Sequence, residues 1–206
     1  MRKFNLPILA LAMMVISGAA NAAGWPSPPP YSATLSVGQD HKQPGRMYRT
    51  PNAYRHELRD GKEVVILHLD QNNADVVLPA GFAVEIDFNK GGFPLAGLMN
   101  GALLDPKPEG PETINGQATT RYRISLNQAP TASFTGKAWV TKDGIIMKID
   151  GEGAFGGQIG KVHVEASDIR RSPQPETLFD LGAQTRRLKF DAQSAAAFLQ
   201  ALAPKK

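Results

Sequence analysis

Tight turns recur along this chain at intervals too short for long helices, and they constrain the fold more than any other feature. Asp60-Gly61, Asn115-Gly116 and Lys142-Asp143-Gly144 each separate two runs typical of strands. Asp-Gly is a strong signal for a two-residue hairpin turn, because both central residues of that turn need positive φ. About ten strands are predicted: Tyr31–Val37, Arg46–Thr50, Tyr54–Arg59, Lys62–Leu69, Ala74–Leu78, Phe82–Phe88, a run from Glu112, Gln117–Asn127, Ala132–Thr141, Ile145–Gly151 and Lys161–Ile169.

Two segments break the strand pattern. In residues 93–104, Leu95, Leu98 and Met99 fall at helical spacing, which predicts a short helix weakened by two internal glycines. Residues 105–111 are rich in proline and predict a rigid loop, and Asp191–Leu202 predicts a terminal helix capped by Asp191.

Short connections favour antiparallel pairing of neighbouring strands. The predicted fold class is therefore mainly β (α+β), a curved antiparallel sheet that forms an incomplete β-barrel covered by short helices.

The amino terminus predicts export. Arg2 and Lys3 precede an apolar run that leads to the cleavage pattern Ala20-Asn21-Ala22, so residues 1–23 are expected to be a secretory signal peptide and the mature chain to be periplasmic. The run is shorter than the roughly 20 residues that cross a bilayer, which favours cleavage over a membrane anchor. Residues 24–30 form a proline-rich leader.

The composition of the chain limits the kinds of partner and site that we expect. The chain has no cysteine, which excludes disulfides and thiolate metal sites. Removing Arg2 and Lys3 leaves 21 basic against 19 acidic residues, a net charge of about +2 that is too small for a nucleic-acid surface. The sequence contains no second long apolar run, so an integral membrane protein is not expected.

A series of strand-and-turn phrases in this sequence resembles the LolA-like, or outer-membrane lipoprotein-sorting-like, group of periplasmic proteins, and most closely its uncharacterised branch. The resemblance covers roughly residues 31–188 and rests on the order of these phrases: Tyr31-Ser-Ala-Thr-Leu-Ser-Val, Gly45-Arg-Met-Tyr-Arg, Tyr54-Arg-His-Glu-Leu, Val64-Val-Ile-Leu-His, Val76-Val-Leu-Pro, Glu112-Thr-Ile-Asn-Gly, Thr120-Arg-Tyr-Arg-Ile, Gly136-Lys-Ala-Trp-Val-Thr-Lys-Asp-Gly-Ile and Pro175-Glu-Thr-Leu-Phe.

This resemblance implies a half-barrel domain over residues 31–190, with residues 191–206 as a terminal helix and tail. It also implies a sheet wrapped around one or more helices, whose concave face in the characterised carriers holds the acyl chains of lipoproteins.

Apolar residues suggest where a ligand would bind. The strands at residues 64–69 and 76–78 are apolar on both faces, so both faces are covered or one of them lines a cavity. The predicted lining residues are Phe82, Ile86, Leu95, Leu98, Met99, Trp139 and Met147, and the predicted polar rim is Arg46, Arg49 and Arg55. An ordinary core sealed by the helices is the alternative reading of the same residues.

Candidate catalytic groups are sparse. His56 and His68 fall on opposite faces of paired strands, so neither a metal site nor a cofactor site is predicted. The run from Gly151 to Gly160 is read as a hairpin or a flexible rim rather than a phosphate loop, and Arg121 and Arg123 as charge pairs on a solvated face.

The sequence therefore predicts a non-enzymatic periplasmic binding protein with a hydrophobic concave face that carries or senses lipid or lipoprotein acyl chains. The alternative is a protein-interaction or envelope-stress module of the same fold with a filled core. In that alternative, sheet edges and the leader from Trp25 to Pro30 would contact an envelope protein.

Overall fold

A computed structural model of the 206-residue chain describes residues 25–38, 43–58, 61–78, 81–89, 104–128, 132–155, 158–191, 194–195 and 198. The predicted signal peptide, and the predicted helix over 93–104 except for Leu104, lie outside the described residues. Within the described ranges, no helix is long and apolar enough to span a membrane.

In the part of the chain that the structure describes, twelve strands form one sheet that is not closed into a barrel, which confirms the predicted fold class. The strands are β1 (Tyr31–Val37), β2 (Gln43–Arg49), β3 (Ala53–Leu58), β4 (Glu63–His68), β5 (Asn73–Val77), β6 (Phe82–Asp87), β7 (Lys107–Ile114), β8 (Gln117–Gln128), β9 (Ala132–Thr141), β10 (Ile146–Phe155), β11 (Gln158–Arg170) and β12 (Arg186–Asp191). Their order is β12-β6-β5-β4-β3-β2-β1-β11-β10-β9-β8-β7. Two antiparallel meanders therefore meet where β1 pairs with β11.

Register shifts bend the sheet at three places. They interrupt the pairing of β1 with β11, of β9 with β10 and of β7 with β8. An extra residue in one strand kinks that strand and increases its twist. These shifts help to curve the sheet so that residues from β6 to β11 belong to one contiguous core on its inner, concave face.

Two strand predictions need correction. β7 begins at Lys107 rather than Glu112, so the proline-rich segment read as a loop is partly a strand. β7 tolerates Pro108 and Pro111 because it is an edge strand, where a residue without a backbone N–H need not interrupt the hydrogen bonds between strands. β12 was not predicted. It pairs with β6 in parallel, because residues 172–185 carry the chain across the sheet from β11 to β6 before β12 begins.

The hairpin predicted for the glycine-rich run is confirmed, whereas most of the predicted helix Asp191–Leu202 lies outside the described residues. β10 and β11 pair from Gly151 onward through the glycine-rich run, so that run is a hairpin. Gly136 and Gly151 face each other there, and the ring of Phe134 occupies the space that a Cβ on either would need. At the carboxyl end, the Asp191 carboxylate accepts a 2.7 Å hydrogen bond from the backbone N–H of Ser194, as expected of a helix N-cap.

The segment we call the strap, residues 172–185, covers the outer face of β3, β4 and β5. It contains a 3₁₀ turn at Glu176–Phe179, and Phe179 packs there against Val64 and Ile66. The opposite side chains of the same strand, Val65 and Leu67, belong to the inner core. Both faces of β4 are therefore covered by the protein itself, which accounts for its unbroken apolar sequence.

The leader is fixed to one end of the sheet. The guanidinium of Arg49 is buried and donates to the hydroxyl of Tyr54 at 2.7 Å, to the hydroxyl of Ser27 at 3.1 Å and to the carbonyl of Pro28. Trp25 is 3% exposed and meets the ring of Tyr122 edge-on. Gly144 has φ of 85°, and a side chain there would overlap the backbone of Pro26.

We expect Arg49→Met to lower the free energy of unfolding by about 1–3 kcal/mol, because it leaves buried oxygens of the leader and Tyr54 without their donor. Urea unfolding measures the change. Arg46→Met is the control: Arg46 lies on the same strand but is exposed, and its loss should change stability by no more than about 0.5 kcal/mol. Equal losses of stability in the two variants would contradict the role of Arg49 in holding the leader.

We expect Phe179→Ala to cost about 3 kcal/mol, because it removes the buried ring that joins the strap to β4. Amide hydrogen exchange at Val64 and Ile66 should accelerate in this variant. Thr177→Ala, at an exposed position of the same turn, should leave both measurements unchanged. If exchange at β4 stayed slow in Phe179→Ala, the strap would not be what covers this face.

Candidate functional site

The inner face of the sheet carries the larger of the two hydrophobic clusters of the described protein, and the buried members of this cluster are at most 7% exposed. Alternate residues of each strand point to it, so a single contiguous cluster runs from Ile86 on β6 to Leu126 on β8. Its members include Leu35, Met47, Tyr54, Leu58, Val65, Leu67, Val76, Val84, Ile124, Ile149 and Val164. This surface can bury apolar groups, and that is its main chemical capacity.

Three of the predicted lining residues lie on this face. Ile86 and Met147 are buried members of the cluster, and the partly buried Phe82 packs against it. β6 and β10 are far apart in the strand order, so only the curvature of the sheet lets their side chains share one core. Leu95, Leu98 and Met99 lie outside the described residues and remain predictions.

Trp139 is not brought to this face. Its neighbours Ala138 and Val140 point inward, so strand alternation directs the indole to the outer face. There the ammonium of Lys148 lies 4.9 Å from the centre of its ring. The indole N–H of Trp139, followed by Arg121, holds the pKa of Glu112 below its usual value.

The predicted rim arginines do not form one rim. Arg46 is exposed on the outer face, whereas Arg49 is buried on the inner face and holds the leader. Arg55 lies on the outer face, where it pairs with Glu57 at 2.7 Å and donates to the carbonyl of Leu178 in the strap at 2.7 Å. Arg49 and Arg55 thus attach covering segments to the two faces.

The other charge pairs predicted for the outer face are present. Arg121 contacts Glu109 at 3.0 Å and Glu112 at 3.1 Å, and Arg123 contacts Glu109 at 3.4 Å. Surface pairs of this kind contribute little stability each. They mark the outer face of β7 to β9 as the solvated one.

His56 and His68 point to opposite faces, as strand alternation predicts. His56 is fully buried between Met47 and Val65, its pairing partners on the neighbouring strands. His68 lies 3.3 Å from the carboxylate of Asp75 on the outer face. Among the residues that the structure describes, no group of three or more histidine and acidic side chains is placed to hold a metal ion.

Burial makes His56 a weak base. Removal from water lowers its pKa to about 4, and neither ring nitrogen has a hydrogen-bond partner within the described ranges. A general base must sit within hydrogen-bond reach of the proton that it takes. His56 therefore contributes a neutral, polarisable ring to the inner face.

A cleft of about 530 Å³ opens at the end of the inner face where the leader lies. Its lining comes from the leader, from β8 and from the end of β9: Trp25, Pro26, Ala118, Thr119, Thr120, Tyr122, Val140, Thr141 and Lys142. This volume lies within the range of small-molecule sites. No pattern in the sequence indicates this cleft, although a tryptophan in front of a proline-rich segment is typical of a leader that packs on its own domain.

No protein-family model matches the sequence, and no curated protein matches it closely. Among solved structures, it is similar to a DUF1329 family protein from Desulfovibrio piger, with 12% identity, a TM-score of 0.40, and coverage of 85% of this chain and 95% of that chain. It is also similar to a LolA superfamily protein from Nitrosomonas europaea, with 8% identity, a TM-score of 0.36, and coverage of 84% and 96%.

A third similar structure is the MucA/MucB complex of Pseudomonas aeruginosa, with 12% identity, a TM-score of 0.35, and coverage of 86% of this chain. The chain spans about 60% of the length of the MucB chains that it matches. One of these neighbours is a LolA superfamily protein, the group that the sequence resembles.

We expect acid to destabilise the protein through His56. The pKa of this histidine is about 4 in the folded chain, below its ordinary value of 6.5, so the unfolded chain takes up the proton first as the pH falls. The free energy of unfolding should be unaffected by this group above pH 6.5 and should lose up to about 3 kcal/mol between pH 6.5 and pH 4.

Urea midpoints measured across this pH range test the prediction. His56→Leu should flatten the acid side of the profile, and His68→Asn on the outer face should not. Parallel profiles for the wild type and His56→Leu would contradict the burial of a neutral histidine.

Proposed function

We propose that this protein is a non-enzymatic binding protein of the periplasm and that its inner face holds the acyl chain of a lipid or lipoprotein. The observation that carries the proposal is the apolar cluster along the inner face of the curved sheet, together with a cleft at one end that shares Trp25, Tyr122 and Val140 with that cluster. Each methylene group buried on such a surface contributes about 0.8 kcal/mol.

Phe82, Ile86 and Met147 are the described residues that we assign to the lining. Phe82 suits this role best, because it is only partly buried and lies at the start of β6, at the end of the sheet opposite the cleft. An acyl chain that entered at the cleft and reached Phe82 would run the length of the inner face. We retain Leu95, Leu98 and Met99 as predicted lining residues.

Export through the predicted signal peptide places the proposed activity in the periplasm. A shielded apolar face suits that compartment, because a lipid or lipoprotein must cross water between two membranes. The absence of cysteine in the chain means that redox conditions there would not alter the fold through disulfides.

The alternative is a protein-interaction or envelope-stress module of the same fold with a filled core, which would bind a partner through its sheet edges and its leader. The leader fits that role less well. Trp25 is almost fully buried against Tyr122, and the carbonyl of Pro28 is bound by Arg49. Residues committed to their own domain are not free to bind a partner. Deletion of the leader should therefore reduce stability first.

The chain has two tryptophans, one on each face, and they report where an acyl chain binds. Bromine quenches indole fluorescence only at short range, so dibromostearate should quench Trp25 in the Trp139→Phe variant. It should leave Trp139 in the Trp25→Phe variant unquenched. Calorimetry with each variant verifies that the titration reaches saturation.

Phe82→Ala should weaken dibromostearate binding about tenfold, since it removes apolar contact worth roughly 1.5 kcal/mol. Ile159→Ala, which changes a side chain that is 72% exposed, is the matched control and should bind normally. Equal quenching of both tryptophans, or failure of saturation by calorimetry in the wild type, would contradict an acyl site on the inner face.

A further inference from the structure

We propose that the cleft beneath the leader binds the anionic head of an amphiphile, a carboxylate or a phosphate, while its acyl chain lies along the inner face. This inference rests on the proposed function and adds the chemical class of the ligand. Its basis is a set of hydrogen-bond donors in the lining of this cleft that have no acceptor within the described part of the chain.

The lining of the cleft has one charged side chain. Lys142 is exposed in the turn between β9 and β10, and it forms no ion pair within the described part of the chain. No carboxylate belongs to the lining. The neighbouring Asp143 is held by Arg171 at 2.7 Å, and its pKa is lowered chiefly by that hydrogen bond. The cleft therefore favours negative charge.

Two further donors stand beside the lysine. The indole nitrogen of Trp25 is buried and donates to no group among the residues that the structure describes. The hydroxyl of Thr120, another lining residue, likewise has no hydrogen bond within the described ranges. A buried donor left without an acceptor is unfavourable, and a bound oxyanion would supply that acceptor.

The remaining threonine hydroxyls of the cleft are already in use. Thr119 donates to the carbonyl of Glu112 at 2.7 Å, and Thr141 donates to the carboxylate of Asp143 at 2.6 Å. The donors left without an acceptor within the described part of the chain are therefore those of Lys142, Trp25 and Thr120. Few, convergent polar groups on an otherwise apolar site are typical of sites that orient an amphiphilic ligand.

The wall behind these donors continues into the inner face. Trp25 and Val140 are members of the main core cluster, and the ring of Tyr122 packs against it. A head group placed between Lys142 and Trp25 would therefore point its chain toward the core rather than into solvent. The same wall makes a free anion a poor occupant, because it would leave the apolar part of the cleft uncovered.

Calorimetry with palmitate, methyl palmitate, lysophosphatidate and inorganic phosphate tests the inference. We expect palmitate and lysophosphatidate to bind more tightly than the uncharged ester, with the preferred head identifying the source of the anion, and inorganic phosphate alone to bind at least a hundredfold more weakly. Equal affinity for palmitate and its methyl ester would overturn the anion site while leaving the proposed function intact. Failure of all the acyl ligands would overturn both.

Two substitutions locate the head group. Lys142→Met should weaken palmitate about fivefold and leave methyl palmitate unchanged, as expected for an exposed charge. Trp25→Phe keeps a ring but loses the N–H, and it should weaken palmitate about tenfold with a smaller effect on the ester. Lys62→Met, in an exposed turn at the other end of the sheet, is the control and should bind normally. Unchanged palmitate binding in both cleft variants would overturn the inference.

Discussion

Burial of the apolar inner face is the constraint on which the rest of this structure depends. A twelve-stranded open sheet exposes far more apolar surface than it can leave in water, and the chain has no disulfides to stabilise it otherwise. Curvature brings the side chains of distant strands into one cluster. The segments outside the sheet then have to cover the apolar side chains that curvature alone does not bury.

The described covering segments are attached by arginines. On the inner face, Arg49 binds the leader through neutral oxygens and so fixes Trp25 at the end of the sheet. On the outer face, Arg55 binds the carbonyl of Leu178 and so fixes the strap over β4. Planar guanidinium groups with several donors suit this task, because one side chain can hold backbone and side-chain acceptors together.

Local signals explain why most strands could be predicted. The Asp60-Gly61 signal predicts that His56 pairs with Val65, and β3 and β4 pair in that register. The opposite directions of His56 and His68 follow from alternation alone. β12 escaped prediction because its parallel partner β6 lies a hundred residues away and nothing local encodes such a pairing. The prolines of β7 suggested a loop because their tolerance depends on a position at the sheet edge.

The site was harder to predict than the fold. Phe82, Ile86 and Met147 were assigned to the inner face from their apolar character, which was sufficient there. Trp139 shows the limit of that reasoning, since a large aromatic residue on the outer face can be buried by charged neighbours such as Lys148. The cleft depends on the leader folding back onto β8 and β9, a tertiary contact that no periodicity reveals.

Native mass spectrometry of the full chain, exported and purified without detergent, shows whether the inner face holds a ligand. We expect a population heavier than the mature protein by the mass of one acyl-bearing amphiphile, which organic extraction removes and identifies. A single ligand-free mass, together with an extract that contains no lipid and no uptake of added fatty acid, would contradict this expectation.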